Sequence, residues 1–251
     1  MKRIVFFLVG VLLCFSNLVF AQSAEDIYLK ANLSYENKDY EKAISLYEML
    51  VKMDRVSPEV FYNLGNSFFK LKKIGHAILN YERALRLAPR DRDIQSNLKL
   101  ARAMVIDKID VPTKGFILTV MLFLYDMMNI NELAIVSSIF YLVIILLLIF
   151  SIFFVAKKRV IFYNIGVLAI AWITLLIFLF AKVQNENFTK QAVIISDKVD
   201  ARSGPKEDYL LQFTLHEGTK VRILQERQDW YEIDLSKGLR GWLPKPSAEI
   251  I

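Results

Sequence analysis

The sequence predicts a multidomain membrane protein built in three parts: an all-α repeat module, a two-helix transmembrane hairpin and a small all-β barrel. Three observations predict it. Residues 24–57 and 58–91 share a 34-residue period, two long apolar runs are separated only by Lys157-Lys158-Arg159, and from residue 191 onward short β-branched and aromatic runs alternate with turn residues. Composition agrees, because 55% hydrophobic residues is too apolar for a fully soluble chain of 251.

The first element is a signal peptide at residues 1–21. Met1-Lys2-Arg3 is its basic region and Ile4 to Phe20 its apolar one, while Val19 and Ala21 are small enough for signal peptidase, which puts cleavage after Ala21. The rival reading is an uncleaved anchor, and on either reading residue 22 begins outside the cytoplasm. Cys14 is the only cysteine. Leu13 precedes it where a lipoprotein signal carries a small residue, so lipid anchoring is not expected, and cleavage leaves no thiol for disulfide, redox or metal chemistry.

The repeat module spans 24–110, with repeats at 24–57 and 58–91 and a capping helix at 92–107 carrying Ile94, Leu98, Ala101 and Val105 at helical spacing. Its period is that of the tetratricopeptide repeat. The second copy is the clearer, with Phe61, Leu64-Gly65, Phe68, Ala77, Tyr81, Ala84 and Pro89 at the expected positions. Gly65 and Ala77 are small so that paired helices can approach, Phe68 and Tyr81 fill the space beside them, and Ser57-Pro58 is a cap followed by a first-turn proline. Two repeats and a cap are near the minimum for stability, so the stack asks for another neighbour, a second copy or a partner. First helices of such repeats line a groove, which places Tyr28, Asn32, Tyr62, Asn63, Asn66, Phe69 and Lys70 as candidate partner contacts. The competing reading is that the rings only pack between repeats. Asn66→Ala with Lys70→Ala is expected to remove groove contacts and leave the fold nearly intact.

Phe116 to Tyr125, within an apolar segment at 115–128, is too short to span and reads as interfacial, a buried re-entrant piece being the alternative. The transmembrane helices are read at 132–156, capped by Asn131 and Glu132, and at 160–181. The three charges between them place the link in the cytoplasm and both flanking modules in the periplasm, anchored in a bacterial inner membrane.

Residues 191–251 form the barrel. Val193 to Ile195, Val221 to Leu224, Trp230 to Leu235 and Leu239 to Leu243 are strand-like, with turns at Ser203-Gly204-Pro205 and Ser236-Lys237-Gly238. Ala201-Arg202-Ser203-Gly204-Pro205, Leu215 to Val221, Trp230-Tyr231 and Gly241-Trp242-Leu243 resemble bacterial SH3-like domains in kind and order. Trp230 and Trp242 are the candidate surface residues, and a fold-defining role for them is favoured over ligand contact.

Catalytic chemistry is not expected. His76 and His216 lie in modules separated by the hairpin, no ligand-spaced cluster surrounds either, and phosphate-loop, dinucleotide and nucleophile-elbow patterns do not occur, so neither metal nor cofactor is expected. Acids such as Asp91 and Asp93 flank a helix boundary, where capping explains them. The net charge of +6 owes three residues to the membrane link, and nucleic acid is discounted as a partner.

The order of parts, with the stretches Phe61 to Asn66, Ala77-Ile78, Tyr81 to Asp91, Asn97-Leu98 and Asp107-Lys108-Ile109, resembles the BatE family of the Bacteroides-type aerotolerance operon. The resemblance implies partners from the same operon, namely membrane proteins with von Willebrand factor A domains, another repeat protein and a MoxR-type ATPase, and a part in envelope stress tolerance. The function expected is therefore a non-enzymatic membrane-anchored scaffold with a possible homo-oligomer. The alternative is a cell-wall peptide-binding module in which the barrel binds and the repeats tether. A channel or transporter is disfavoured because the apolar runs Leu133 to Ala156 and Val160 to Ala181 carry no ionisable residue.

Overall fold

The computed structural model describes residues 24–108, 115–153, 157–188, 190–235 and 238–251. The expected signal peptide, Cys14 and the cleavage position lie outside the described residues. Five helices come first: α1 (24–36), α2 (Tyr40–Lys52), α3 (Pro58–Lys70), α4 (Ile74–Leu87) and α5 (Arg92–Ala103). Three of them start on a side-chain cap: Asp39 accepts from the Lys42 N–H, Ser57 from the Val60 N–H with Pro58 in the first turn, and Asp91 from the N–H groups of Asp93 and Ile94. Tyr47, Leu64, Phe68, Ile78 and Tyr81 interleave into one core. Gly65 permits the α3–α4 approach, since a Cβ there would stand 2.7 Å from the Tyr81 ring. The capping helix ends at Ala103, short of the expected 107, because the Met104 N–H turns back onto the carbonyls of Ala101 and Arg102. Val105 still packs on the helical core.

Helices α6 (Phe116–Asp126), α7 (Ile130–Phe153) and α8 (Lys158–Phe188) follow. α7 and the 159–185 stretch of α8 are long and apolar enough to cross a membrane. They pack on each other, with Tyr141 stacked on Trp172 at 5.7 Å. Two expectations need correction here. The cap of α7 is Asn129 rather than Asn131: its Oδ1 accepts from the Glu132 N–H at 2.8 Å while Glu132 accepts from the Asn129 N–H at 3.0 Å, a reciprocal capping box. α8 runs past Ala181 to Phe188, because hydropathy marks where the apolar run stops and not where a helix must stop. In that extension the Lys182 ammonium donates to the carbonyls of Tyr125, at 2.9 Å, and Met128, and lies 4.9 Å from the Tyr125 ring centre. It pins α6 to α8.

Seven strands close the chain: β1 (Gln191–Ile194), β2 (Lys198–Arg202), β3 (Leu211–His216), β4 (Lys220–Arg227), β5 (Trp230–Leu235), β6 (Leu239–Pro244) and β7 (Ala248–Ile250). They pair antiparallel in the order β3-β2-β6-β5-β4-β1-β7. Ile194, Val221, Ile233 and Leu243 lie in their core. β2, β3 and β7 lie outside the four strand-like runs expected from sequence, because they alternate polar and apolar residues in short runs. Gly238 takes φ +78° as the turn before β6 requires, while residues 236 and 237 lie outside the described residues.

The barrel packs directly on α4. A Cβ on Gly75 would come within 2.5 Å of the Ile194 carbonyl oxygen, and one on Gly218, which has φ +84°, within 2.7 Å of Val105. α4 has no side-chain cap of its own, and the Gly75 N–H at its start donates to Glu217 of the barrel at 3.0 Å. Arg83 and Arg86 donate to the main-chain oxygens of Ile250 and Ile251 at 2.5 and 2.8 Å, and so cover the outer edge of β7. Glu82, almost fully buried, pairs with Lys220 at 2.9 Å and with Arg102. Asp107 accepts from the His216 N–H at 2.7 Å and the Thr219 hydroxyl at 2.6 Å. Val193 and Ile251 join the helical core, so the barrel supplies a neighbour that the short repeat stack needs.

Two of these acids set a pH dependence. Burial raises the Glu82 carboxyl, but Lys220 and Arg102 beside it outweigh burial and hold it below its ordinary 4.5. Burial likewise opposes, and bonds from Thr219 and His216 overcome, so that Asp107 lies below 3.8. A carboxylate with a depressed folded pKa contributes stability above its unfolded pKa and loses it as pH falls through the folded one. Docking of the two modules is therefore expected to be complete at neutral pH and to weaken below about pH 4. Limited proteolysis at the α5–α6 connection across that range reads it, and cleavage that does not change with acid would count against these two pairs. Gly75→Ala should open the same connection at neutral pH, even though alanine favours helix over glycine by about 1 kcal/mol.

Candidate functional site

The seven candidate groove residues divide between two hollows and a hydrogen-bonded layer beside them. Tyr62, Asn66, Phe69 and Lys70 line a cleft of about 300 Å³ together with Tyr35, Tyr81, Asn97 and Leu100. Tyr28 lines a separate pocket near the start of α1, beside Leu50 and Arg55. Asn32 and Asn63 stand between the two in a layer of hydrogen bonds.

That layer repeats with the sequence. The Tyr47 hydroxyl donates to Asn32 Oδ1 at 2.5 Å, and Asn63 Nδ2 donates to Asn32 Oδ1 at 3.3 Å and to the Tyr28 hydroxyl at 3.4 Å. One period later, the Tyr81 hydroxyl donates to Asn66 Oδ1 at 2.7 Å, and Asn97 Nδ2 donates to Asn66 Oδ1 at 2.9 Å and to the Tyr62 hydroxyl at 3.0 Å. Each position recurs 34 residues on, which makes α5 the first helix of a further repeat by its bonding as well as its packing. Tyr47 and Tyr81 are 1% exposed, and burial raises both phenols above their ordinary range. Asn32 and Asn66 thus serve as the acceptors that let two large phenols be buried.

This geometry weighs against the expectation that Asn66→Ala with Lys70→Ala leaves the fold nearly intact, since Asn66 Oδ1 accepts from the buried Tyr81 hydroxyl and from Asn97. Lys70 and Leu100 remain as exposed cleft residues, Leu100 being 54% exposed. Leu100, on the helix expected to cap the repeats at 92–107, is a wall of the cleft that helical spacing alone does not reveal.

On the barrel, the tryptophans lie on the outer face. Ile233 and Leu235 of β5, and Gly241 and Leu243 of β6, are buried, so alternation turns Trp230, Glu232 and Trp242 outward. Trp242 pairs across the sheet with Glu232 on one side and Arg202 on the other, and Trp230 pairs with Pro244. Both rings are half-buried and absent from the barrel core, where Phe213 and Tyr231 pack instead. This placement leaves both roles open to the two tryptophans, covering the outer face of the sheet or contacting a ligand. Among the described residues no group of three metal-capable side chains comes together, although His76 and His216, expected far apart, both reach the interface between repeats and barrel.

Comparison with known proteins identifies two modules. Residues 58–91 match the tetratricopeptide repeat, and residues 197–248 match the bacterial SH3 domain. The chain is also 38% identical over 53 residues to the protein named "Putative N-acetylmuramoyl-L-alanine amidase YrvJ" of Bacillus subtilis (strain 168). That stretch covers 21% of this chain and 10% of the amidase. A tetratricopeptide repeat and a bacterial SH3 domain are accordingly present, both of them non-catalytic binding modules.

Asn66→Ala and Asn32→Ala are each expected to cost about 1–3 kcal/mol, because a buried tyrosine hydroxyl loses its acceptor. Lys70→Ala, on the exposed rim, should stay within about 0.5 kcal/mol of the parent. Chemical denaturation followed by helical circular dichroism measures all three, and a neutral Asn66→Ala would show the layer to be dispensable.

Proposed function

We propose that the chain is a membrane-anchored scaffold that holds partner proteins on the periplasmic side, with the cleft between α3 and α5 as its docking groove. The observation that carries this reading is the packing of one binding module on another at the head of the apolar hairpin. Asn129 of the α7 cap donates to the Leu87 carbonyl at 3.1 Å and Glu132 pairs with Arg90, so the repeat is fastened to the hairpin as well as to the barrel. A groove fixed at a set height and angle above a membrane suits a scaffold, because a partner anchored in the same membrane meets it pre-oriented. The charges at Lys157 and Arg159, at the far end of the hairpin, support a cytoplasmic link. The bacterial SH3 match supports an external location for the barrel. The resemblance to the BatE family supports partners with von Willebrand factor A domains and a place in an aerotolerance or envelope-stress complex.

A second reading rests on its own observation. Two half-buried tryptophans on the outer barrel face, flanked by Glu232 and Arg202, form a surface suited to stacking on a cell-wall peptide or sugar. The short likeness to the amidase supports the same direction.

The two readings part on one pair of variants of the full-length protein. Lys70→Glu with Leu100→Glu alters only exposed cleft residues, and should leave the melting curve in place while co-purification of membrane partners falls by about tenfold, the effect of losing ~1.4 kcal/mol. Trp230→Ala with Trp242→Ala should leave those partners in place. If the cleft variant keeps its partners while the tryptophan variant stops sedimenting with purified cell wall, the scaffold reading fails and the wall-binding one replaces it.

A further inference from the structure

The lining of the cleft between α3 and α5 holds one charged side chain, Lys70, and no carboxylate. Lys70 is exposed, and among the described residues no carboxylate pairs with it. Glu36, one period earlier, stands on α1 outside the lining. The hollow beside Tyr28 differs, because Glu25 and Glu59 line it together with Arg55.

The hydrogen-bonded layer gives the cleft a matching polarity. Tyr81 is 1% exposed, and Asn66 Oδ1 is the acceptor of its hydroxyl proton at 2.7 Å. That bond fixes the Asn66 amide, since a flip would leave a buried phenol without an acceptor. With Oδ1 turned to Tyr81 and Asn97, Asn66 Nδ2 keeps two N–H donors that meet no acceptor among the described residues, on an atom that stays open to water. The Tyr35 hydroxyl, on the same lining, likewise has no partner among the described residues. Burial first, then the phenols of Tyr40 and Tyr62, raise it above its ordinary 10, so it keeps its proton and is a donor at neutral pH. Asn97 is the complement, because its Nδ2 is bound into the layer and its Oδ1 is left as a neutral acceptor. An ammonium, an amide N–H₂ and a phenol O–H on one cleft, with no acid in the lining to balance them, select an anionic acceptor.

We propose that the cleft takes the carboxylate of an aspartate or glutamate side chain on the docked segment, held by Lys70 Nζ and Asn66 Nδ2. This rests on the groove reading above and names what the groove selects. Leu100, 54% exposed, and the Phe69 ring receive an apolar residue beside the acid, so one cleft reads an acid and its apolar neighbour together. Asn97 Oδ1 can accept a main-chain N–H of the same segment.

Full-length protein in detergent is titrated with acetyl-Leu-Glu-Leu-amide, with its neutral counterpart acetyl-Leu-Gln-Leu-amide, and with acetyl-Leu-Gln-Leu bearing a free terminal carboxylate, and binding is followed by saturation-transfer NMR. The glutamate peptide is expected to bind about tenfold more tightly than either of the others, and Lys70→Met should remove about that factor. Asn66→Asp keeps an oxygen for Tyr81 and Asn97 but replaces the outward N–H₂ by a second carboxylate oxygen, so it should abolish the preference with the helical melting curve close to that of the parent. Should that variant melt early, Lys70→Met, on the exposed rim, carries the test by itself. Equal binding of the glutamate and glutamine peptides, an unchanged preference in Lys70→Met, or binding of the free chain end as tight as that of the glutamate peptide overturns the proposal. Its failure is separable from that of the groove reading. Loss of membrane partners by Lys70→Glu with Leu100→Glu, together with no discrimination between the peptides, keeps the groove and removes its carboxylate. Discrimination together with retained partners keeps the carboxylate site and removes its part in docking.

Discussion

The close approach of α4 to the first barrel strand governs much of this structure. Only glycine at position 75 allows the Ile194 carbonyl so near, and only glycine at 218, in the left-handed region, allows Val105 and Ile78 to lie across it. Once the backbones are that close, side chains on both sides must be matched. Glu82, 8% exposed, would be an uncompensated charge in its interior position without both Lys220 and Arg102, and removing either would cost more than a surface pair is worth. Glu217 supplies the start of α4 with the carboxylate that its own sequence lacks. The barrel therefore acts as a lateral cap on a repeat stack that is short by the usual standard of one neighbour per hairpin.

The same helix also ties the repeat to the apolar hairpin. α4 ends at Leu87, whose carbonyl accepts from Asn129 at the head of α7, and Arg90 in the next turn reaches Glu132. At the same level Lys182 holds the end of α6 against α8. The repeat module is thus joined to the hairpin at its polar end, where the long basic side chains of Arg90 and Lys182 find oxygen acceptors.

How far this was legible in the sequence depended on the range of the interaction. The 34-residue period announced the repeat, and Gly65, Ala77 and Tyr81 have the packing roles their sizes suggest, because those contacts are local and recur. The apolar runs announced α7 and α8 but misplaced the cap by two residues and the end of α8 by seven, since neither is fixed by hydropathy. What could not be read was the docking. Leu215 to Val221 was legible as a barrel motif, yet His216, Glu217, Gly218, Thr219 and Lys220 also form the face that meets the repeat, and a pattern that satisfies one role gives no sign of a second. Nothing local in the sequence distinguishes Glu82 from a helix-surface acid, because the module that covers it lies more than a hundred residues away.

The groove illustrates the same limit in a more useful way. Asparagines on the first helices suggested side chains waiting for a peptide, and the period alone could not distinguish that from a bonding layer. The layer is what the geometry shows, for Asn32 and Asn66 already accept from buried tyrosines and from the next asparagine along. Such a network makes the concave face stiff, because moving one amide breaks bonds in two repeats at once. A stiff surface recognises a partner with less ordering cost than a mobile one, and on the docking proposal specificity would fall to the residues outside the network, the ring of Phe69 and the exposed Lys70 and Leu100. On that proposal, keeping the asparagines preserves the shape of the groove, while changing these rim residues would change what docks there.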